Sequence, residues 1–365
     1  MKITKIKVKP VSVELKEPFR ISLGLITHSV SAVVAVETDE GLTGYGEGSP
    51  GILVTGETLE GVAANIALFE KNLIGRDPLN IEEIHHILDR VSPRAPSAKA
   101  AIDIACYDLL GKKAGLPVYK LLGGGDNRLL TDITVSLDEP AVMAAKAKKY
   151  AEAGFDVIKT KVGVGFAEDM ERVRAIRNAV GPGVKIRLDA NQAWSPKEAI
   201  RHIEYLSEYD IELIEQPVAY HDLDGLAYVT KHSRLPIMSD ESAFNSKDAL
   251  GLIKKRAVDM VNIKLMKCGG IYEALKINSI CEAAGIECML GCMVEESNIG
   301  ISAAASLGAA RRNITRADLD AVFYLRELPI PGGADFSRAK QITLSDAAGF
   351  GFETPGADES PRPLV

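Results

Sequence analysis

The amino-terminal part of the chain alternates apolar and polar positions in the way that predicts β-strands. The stretches ITKIKVKPVSVEL and SAVVAVETDEGLTGYGEG show this alternation or runs of β-branched residues, and Gly and Asp punctuate them. From Thr58 to about Gly123 the apolar residues recur at helical spacing, as in GVAANIALFEKNLI and AKAAIDIACYDLLGKKAG. Residues 1–125 are therefore predicted to form a compact α+β domain.

From about Leu130 the pattern changes to short apolar runs that alternate with helical stretches. The strand candidates are LTDITVSL, FDVIKTKV, VKIRLDAN, IELIEQP, LPIMSDE, DMVNIKLM, IECMLG and TRADLDA. Strands joined by helical crossovers form parallel βαβ units, and eight such units close into a barrel. The sequence therefore predicts an α/β barrel over residues 126–327.

The carboxyl-terminal stretch, residues 328–365, is rich in Gly and Pro. We expect it to return and pack on the first domain. Its last residues, ADESPRPLV, carry no apolar pattern and are predicted to form a loose tail.

Composition and charge exclude several classes of partner. The chain has 365 residues, 46% of them hydrophobic and 25% charged, and a net charge of −7. Lys and Arg are scattered, so neither nucleic acid nor an anionic membrane surface is an expected partner. The sequence shows neither a signal-peptide core nor a run of roughly 20 apolar residues. The five cysteines form no CxxC pair and are interpreted as reduced thiols, so we expect a cytoplasmic enzyme.

Three acids end successive barrel strands. Asp189, Glu215 and Asp240 lie 26 and 25 residues apart, about one βα unit each. Equivalent ends of adjacent parallel strands meet at one mouth of a barrel, where catalytic residues lie. Three carboxylates without Cys or His form a hard oxygen site that suits Mg²⁺, with Mn²⁺ as the alternative. Each acid alone could instead cap a helix, but three at matching positions favour a metal site.

Lysines flank these acids. Lys159 and Lys161 stand two apart on one strand and point to the same face, whereas Lys264 enters from the opposite side of the barrel. A neighbouring ammonium and a divalent cation disfavour a charged lysine, so its pKa is expected to fall from about 10.4 toward roughly 7–8. Two such bases on opposite faces of a metal-bound carboxylate would invert its α-carbon through an enediolate. The alternative is that the lysines only form salt bridges with the acids.

Together, the motifs around these residues resemble the muconate-lactonizing subgroup of the enolase superfamily, over essentially the whole chain. They are KTK (159–161), LDAN (188–191), IEQP (214–217), SDES (239–242) and NIKLMKCGG (262–270). The resemblance implies a (β/α)₇β modified TIM barrel with an amino-terminal capping domain. A Lys or His base acting with Mg²⁺ is already established for this superfamily.

The resemblance also implies roles for individual residues. It places Mg²⁺ on the three acids, makes Lys161 and Lys264 the acid/base pair, and makes Lys159 an electrostatic helper. In NIKLMK, Lys264 matches the base and Lys267 does not. Asn191 and Gln216, in the same motifs as the acids, are expected to lie just outside the metal ligands.

The last barrel strand suggests the substrate. Asp318 and Asp320 resemble the paired acids with which dipeptide epimerases bind the α-ammonium of the substrate. An ammonium needs acidic acceptors, since a neutral pocket would leave it unpaired. The alternative is that these acids form salt bridges with Arg316 or Arg312. The predicted activity is a Mg²⁺-dependent epimerisation of the carboxyl-terminal residue of a dipeptide, by 1,1-proton transfer between two lysines.

The specificity loop is predicted near residues 19–31, as a lid over the site. Similar Ala-Glu epimerases carry an arginine in this loop, and here Gly24 stands at the aligned position. This departure favours apolar dipeptides over Ala-Glu, although Arg20 or His28 could supply a cation.

Other functions remain open at this point. A muconate cycloisomerase or an o-succinylbenzoate synthase would use the same fold. A non-catalytic metabolite-binding barrel would bind no metal, and a Schiff-base aldolase would use a lysine as nucleophile. In each case we expect a homo-oligomer.

Overall fold

The computed structural model describes residues 1–21 and 24–353. The predicted loose tail, ADESPRPLV, lies outside these residues.

The amino-terminal region combines an antiparallel sheet with helices. Its strands run in the order β1 (Ile3–Ile21), β2 (Gly24–Thr38) and β3 (Thr43–Gly48), and its helices are α1 (Leu59–Leu73), α2 (Ile81–Val91), α3 (Pro96–Ala114) and α4 (Val118–Leu121). Helix α3 is buried on almost every side. It lies so close to β3 that a Cβ at Gly46 would stand 1.9 Å from the Ala101 carbonyl oxygen. The glycines of GYGEG therefore allow sheet and helix to pack in contact.

The region that follows contains a parallel sheet of eight strands within the described residues. After the short β4 (Arg128–Leu130), these strands are β5 (Ile133–Val135), β6 (Val157–Lys161), β7 (Lys185–Asp189), β8 (Ile211–Glu215), β9 (Ile237–Ser239), β10 (Met260–Ile263), β11 (Glu287–Gly291) and β12 (Ile314–Asp318). They are hydrogen-bonded in chain order. The ring closes where Asp132 N donates to Ala317 O, 3.2 Å away, and Leu319 N donates to Thr131 Oγ1, 2.8 Å away.

Helices connect the barrel strands. They are α5 (Pro140–Glu152), α6 (Phe166–Val180), α7 (Pro196–Leu206), α8 (Leu223–His232), α9 (Ser246–Lys255), α10 (Leu265–Cys268), α11 (Ile271–Ala283), α12 (Asn298–Ala310) and α13 (Ala321–Tyr324), and a 3₁₀ turn spans Ser207–Tyr209. Side-chain caps fix several starts, such as the Ser195–Glu198 capping box before α7. None of the helices in the described part of the chain is long and apolar enough to cross a membrane.

The carboxyl-terminal segment joins both regions. Strands β13 (Asp335–Arg338) and β14 (Gln341–Thr343) form a small antiparallel sheet with β4. Farther on, Gly349 pairs with Pro117, and Phe350 N donates to the Asp108 carboxylate of α3 at 3.0 Å.

The segment predicted as a loop over residues 19–31 is strand in the described residues. Strands β1 and β2 pair through Phe19 with Ile26 and through Ile21 with Gly24, so the segment is the end of a long hairpin. Pairing with β1 extends the strand through this stretch, which its sequence alone did not show. The hairpin contacts the barrel, because Leu137 N donates to Arg20 O and the rings of Phe19 and Tyr324 lie 5.1 Å apart.

Candidate active site

A cavity of about 280 Å³ opens at the carboxyl ends of the barrel strands. The hairpin, the segment Gly51–Val54 and the segment Cys292–Glu295 form much of its wall. Its charged lining residues are Lys159, Lys161, Asp240, Glu241, Lys264, Glu295, Asp318 and Asp320. The cavity therefore brings the predicted lysines and the acids of the last strand to one place.

The three predicted metal ligands lie at and beneath the floor of this cavity. Asp189, Glu215 and Asp240 end or directly follow β7, β8 and β9, and each is at most 1% exposed. Asp189 and Glu215 are direct partners in the strand register. Burial raises the pKa of Glu215, and the charges of Asp189 and Asp240 raise it further. The three carboxylates therefore stand at neighbouring strand ends, as the spacing predicts, and are close enough for their charges to interact.

Lysine side chains contact each of these acids. Lys159 Nζ lies 2.7 Å from Glu215 and 3.3 Å from Asp189, and Lys161 Nζ lies 2.6 Å from Asp189. On the other side, Lys264 Nζ lies 2.8 Å from Asp240. The salt bridges of the alternative interpretation are therefore present, alongside an arrangement that also suits proton transfer.

The protein groups alone do not lower the pKa of the lysines as expected. Burial lowers the pKa of Lys159, but Asp318 and Glu215 outweigh it and hold the pKa well above its usual value. For Lys264, burial lowers the pKa, but the charges of Asp240 and Glu215 together outweigh it and raise the pKa. A lowered lysine pKa therefore requires positive charge that competes for the same carboxylates, such as a divalent cation.

The donor set fits a hard cation. Asp189, Glu215 and Asp240 offer only carboxylate oxygens, which Mg²⁺ and Mn²⁺ prefer. Elsewhere in the described residues, oxygens of Asp132, Asp318 and Asp320 lie within 4.8 Å of one another. Cationic side chains contact both groups. We prefer the first group as the metal site because its acids stand at equivalent ends of three adjacent strands.

Asp132, below the cavity, is the acid that sequence reasoning missed in that second group. Arg187 Nη1 lies 2.7 Å from Asp132, and Lys159 Nζ lies 2.7 Å from Asp318. Burial and the charge of Asp318 raise the pKa of Asp132 well above its usual value. Asp132 stands in LTDITVSL before β5, where its sequence gave no sign of a partner on the last strand.

Asp320 lines the cavity, and hydrogen bonds fix one of its carboxylate oxygens. Its Oδ2 accepts hydrogen bonds from Thr134 N–H and from the Tyr324 hydroxyl, both at 2.7 Å. Burial and the neighbouring charge of Asp318 raise the pKa of Asp320 to about 6. Arg316, offered as a salt-bridge partner for these acids, instead bonds to Glu212 and Glu287. Asp320 therefore remains available to a ligand cation, whereas Asp318 already pairs with Lys159.

The other predicted site residues differ in whether they line the cavity. Asn191 lines the cavity, and its N–H donates to Asp189 at 2.9 Å. Gln216 is buried, and its Oε1 accepts from Asp240 N–H at 2.9 Å. Gly24 lines the cavity, whereas Arg20 and His28 are exposed and are not among the lining residues.

Lys267 contacts the predicted metal ligand Asp240, although no motif assigned it a role. Its side chain is 0% exposed, and its Nζ lies 2.5 Å from both the carboxylate and the carbonyl oxygen of Asp240 and 3.1 Å from Asn262 O. Lys267 follows Lys264 by three residues across the single turn of α10. Its contacts depend on the fold, so the motif alone could not assign them.

Replacing Lys267 with Met should destabilise the protein by about 3–5 kcal/mol, because it removes one member of a buried ion pair and leaves buried oxygens unpaired. The free energy of unfolding in denaturant, measured with a chelator present, checks this. Lys255→Met is the matched control. Lys255 pairs with Asp224 at the surface, where a pair contributes about 0–1 kcal/mol. Equal losses in the two variants would contradict the interpretation.

Comparisons with known proteins match the chain over nearly its whole length. Residues 3–123 match the mandelate racemase / muconate lactonizing enzyme N-terminal domain, and residues 142–358 match the enolase C-terminal domain-like model. The chain is 58% identical to a hydrophobic dipeptide epimerase of Enterococcus faecalis, over 96% of this chain and 99% of the relative.

Solved structures of dipeptide epimerases are similar to this chain over nearly its whole length. A dipeptide epimerase from Enterococcus faecalis V583, complexed with Mg and the dipeptide L-Leu-L-Tyr, superposes with a TM-score of 0.95 at 57% identity, covering 97% of this chain and 100% of that one. A substrate-liganded complex of the L-Ala-D/L-Glu epimerase from Bacillus subtilis gives 0.94 at 41% identity, covering 96% and 99%.

Proposed function

The chain belongs to the mandelate racemase / muconate lactonizing enzyme family of the enolase superfamily, and from that premise we propose that it is a Mg²⁺-dependent dipeptide epimerase. The two family models confirm the family that the motifs predicted, and the solved structures confirm the predicted barrel fold. The observation that carries the substrate class is the pair of buried carboxylates, Asp318 and Asp320, in the same cavity as the lysines.

The position of the two proposed bases supports inversion at carbon. Lys161 ends β6 and Lys264 directly follows β10, and these strands are four apart in a ring of eight. The two amino groups therefore approach the cavity from opposite sides of the barrel. A substrate α-carbon held between them can lose a proton to one lysine and gain a proton from the other.

The residues around the bases would hold the substrate carboxylate. A divalent cation bound by Asp189, Glu215 and Asp240 would offset the negative charge that develops as the α-proton leaves. Lys159 adds a fixed positive charge between Glu215 and Asp318, at 2.7 Å from each. We infer an electrostatic role for Lys159 because its amino group contacts three carboxylates and its side chain is the least exposed of the three lysines.

The acids of the last strand would bind the substrate ammonium. Thr134 and Tyr324 fix one oxygen of Asp320, and the other carboxylate oxygen, Oδ1, has only a long contact of 3.8 Å from the Cys292 thiol. A cation beside Asp320 would offset the burial and the negative charge of Asp318 that raise the pKa of this group. An anionic substrate such as a muconate would meet repulsion at the same place, which favours the dipeptide.

The remaining wall favours apolar side chains. It contains Phe19, Leu25, Ile26, Ile52, Leu53, Val54, Met293 and Val294. Glu295, also in this wall, is half-buried, and burial raises the pKa of its carboxyl group. A distal carboxylate such as that of Ala-Glu would face Glu295 and would find no arginine at position 24.

Proton exchange tests the proposed reaction directly. The enzyme with Mg²⁺ is incubated in heavy water with L-Ala-L-Leu and, separately, with a succinylbenzoate precursor, and NMR follows the α-proton and the products. We expect the α-proton of the carboxyl-terminal residue to exchange and both epimers to appear. Turnover of the precursor without exchange on any dipeptide would overturn the proposal, and ligand binding without any turnover would favour a binding protein.

Replacing Gly24 with Arg should raise kcat/KM for L-Ala-L-Glu relative to L-Ala-L-Leu by about tenfold or more, the equivalent of one new ion pair of about 1.4 kcal/mol. A Cβ at Gly24 would have no neighbour within 4 Å, so the side chain can enter without displacing the wall. Gly24→Leu is the control, since it adds similar bulk without charge. An unchanged ratio in the arginine variant would show that this position does not face the substrate side chain.

A further inference from the structure

A buried carboxylate of the capping domain contacts the start of a barrel helix. Glu47, on β3, is 0% exposed. Its oxygens accept hydrogen bonds from Ser31 Oγ at 2.6 Å, from Ser297 N–H at 3.0 Å and from Gly300 N–H at 2.9 Å. The last two donors belong to the first turn of α12, where the helix dipole also favours negative charge. Burial raises the pKa of Glu47 above its usual value, and these hydrogen bonds oppose that rise and favour the ionised form.

A second buried carboxyl group, Glu296, faces the same helical turn. It is 0% exposed, and its Oε1 accepts from Met293 N–H at 2.7 Å. Its other oxygen, Oε2, has no hydrogen-bond partner. A Cβ at Gly300 would stand 2.6 Å from Glu296 Oε2 and 3.0 Å from Glu47 Oε2, so the two groups converge on one point.

Two adjoining buried carboxyl groups cannot both ionise at low cost. Glu47 has three donors and Glu296 has one, so the proton belongs on Glu296. Burial, and then the charge of Glu47, raise the pKa of Glu296 to about 8. The other titratable groups facing Glu296 are Lys264, whose charge lowers this pKa, Glu295, and the Cys292 thiol.

The pair lies where three parts of the molecule meet. Glu296 directly follows the cavity wall Met293–Glu295, and Ser29 Oγ on β2 donates to Glu295 O at 2.6 Å. Glu47 links the same loop to the capping domain. We propose that Glu296 carries a proton at neutral pH and that this neutral acid and the ionised Glu47 together position the cavity wall Met293–Glu295 against the capping domain.

Glu296 and Glu47 are positioning residues in this scheme and do not touch the substrate. The ordinary pKa of Glu is 4.5, and the folded protein raises it. The contribution of Glu296 to the free energy of unfolding is therefore fully present below about pH 4.5. It is lost as the pH rises toward 8 and Glu296 ionises in the folded protein. Above that pH the second negative charge repels Glu47, and we expect the wall to shift and the KM for a dipeptide to rise.

Glu296→Gln distinguishes the effect of ionisation from the effect of side-chain shape, because the amide has the geometry of a neutral acid but does not titrate. Melting temperature and KM are measured from about pH 6.5 to about pH 9.5 for the wild type, for this variant and for the exposed control Glu83→Gln. We expect the variant to lose less melting temperature with rising pH than the wild type. Above pH 8, wild-type KM should rise by up to about tenfold per pH unit more than that of the variant.

The comparison between variants removes the titration of the substrate ammonium, which is common to all of them. Parallel melting curves for wild type and Glu296→Gln would overturn the protonation of Glu296, and parallel KM curves would overturn its positioning role. The KM measurement rests on the proposed function, whereas the melting curves do not. If Glu296→Gln does not fold, the infrared band of a protonated carboxyl group, compared between wild type and Glu47→Gln, decides. We expect Glu47→Gln to shift the titration of that band to lower pH, and an unchanged titration would count against the pair.

Discussion

Replacing either Lys161 or Lys264 with Ala should reduce the rate of epimerisation by about 10²–10⁴-fold, the contribution of a positioned acid or base. Each lysine would serve one face of the α-carbon, so neither can substitute for the other. Heavy-water exchange gives a sharper signature than rate alone. Each variant should still exchange the α-proton of the epimer whose proton faces the remaining lysine, while producing little of the opposite epimer.

Both lysines also contact metal-binding candidates, so loss of activity alone would not separate proton transfer from structure. Lys161→Arg and Lys264→Arg are the controls, since a guanidinium keeps the positive charge beside Asp189 or Asp240 but does not release a proton at neutral pH. We expect the arginine variants to fold and to remain inactive. Normal epimerisation by both alanine variants would show that the two-base assignment is wrong.

The barrel site was predictable because strand spacing alone places residues on a common edge. Asp189 and Glu215 lie 26 residues apart in the sequence and are direct partners in the parallel register. No tertiary detail is needed for that step, because parallel strands of similar length bring equivalent ends together. The same argument brought Lys161 and Lys264 to opposite sides of the mouth.

Other parts of the site depend on contacts that no local pattern encodes. Lys267 is buried against Asp240 because α10 turns it back into the barrel. Asp132 and Glu47 face partners that lie far away in the chain. Residues 19–21 and 24–31 are strand where a loop was expected, because pairing between β1 and β2 fixes their conformation. Each of these features is decided by tertiary packing, which overrides local propensity.

The pKa values of Lys159 and Lys264 also depend on contacts that the sequence does not show. The expected decrease was for a lysine of the Lys159–Lys161 pair, beside a second ammonium and a divalent cation. Four carboxylates instead raise the pKa of Lys159, and Asp240 and Glu215 together outweigh burial at Lys264. Charge balance at such a site is set by which acids lie within contact distance, and that information appears only with the fold.

Replacing Asp320 with Asn should lower kcat/KM for L-Ala-L-Leu by about 30–10³-fold, which corresponds to losing about 2–4 kcal/mol of buried charge pairing with the substrate ammonium. The asparagine oxygen can still accept from Thr134 N–H and from the Tyr324 hydroxyl, so the local fold should survive. Asp320 is the better choice than Asp318, because Asp318 also bonds to Lys159.

N-acetylated L-Ala-L-Leu is the control substrate, since it lacks the ammonium but keeps the α-proton that is transferred and the carboxylate. Wild type should process it poorly, and Asp320→Asn should change its kcat/KM far less than that of the free dipeptide. Equal losses on both substrates would mean that Asp320 supports the site without binding the ammonium.

The pH dependence of the same reaction offers an independent check. The pKa of Asp320 is raised to about 6, first by burial and then by the charge of Asp318. Ammonium binding needs the ionised acid, so wild-type kcat/KM should increase as pH rises through about 6, and this limb should be absent in Asp320→Asn. Because the acetylated substrate has no ammonium, its profile should lack the Asp320 limb in the wild type as well. A limb that persists in the variant would have to be assigned to another group, and the ammonium site would then need a different acid.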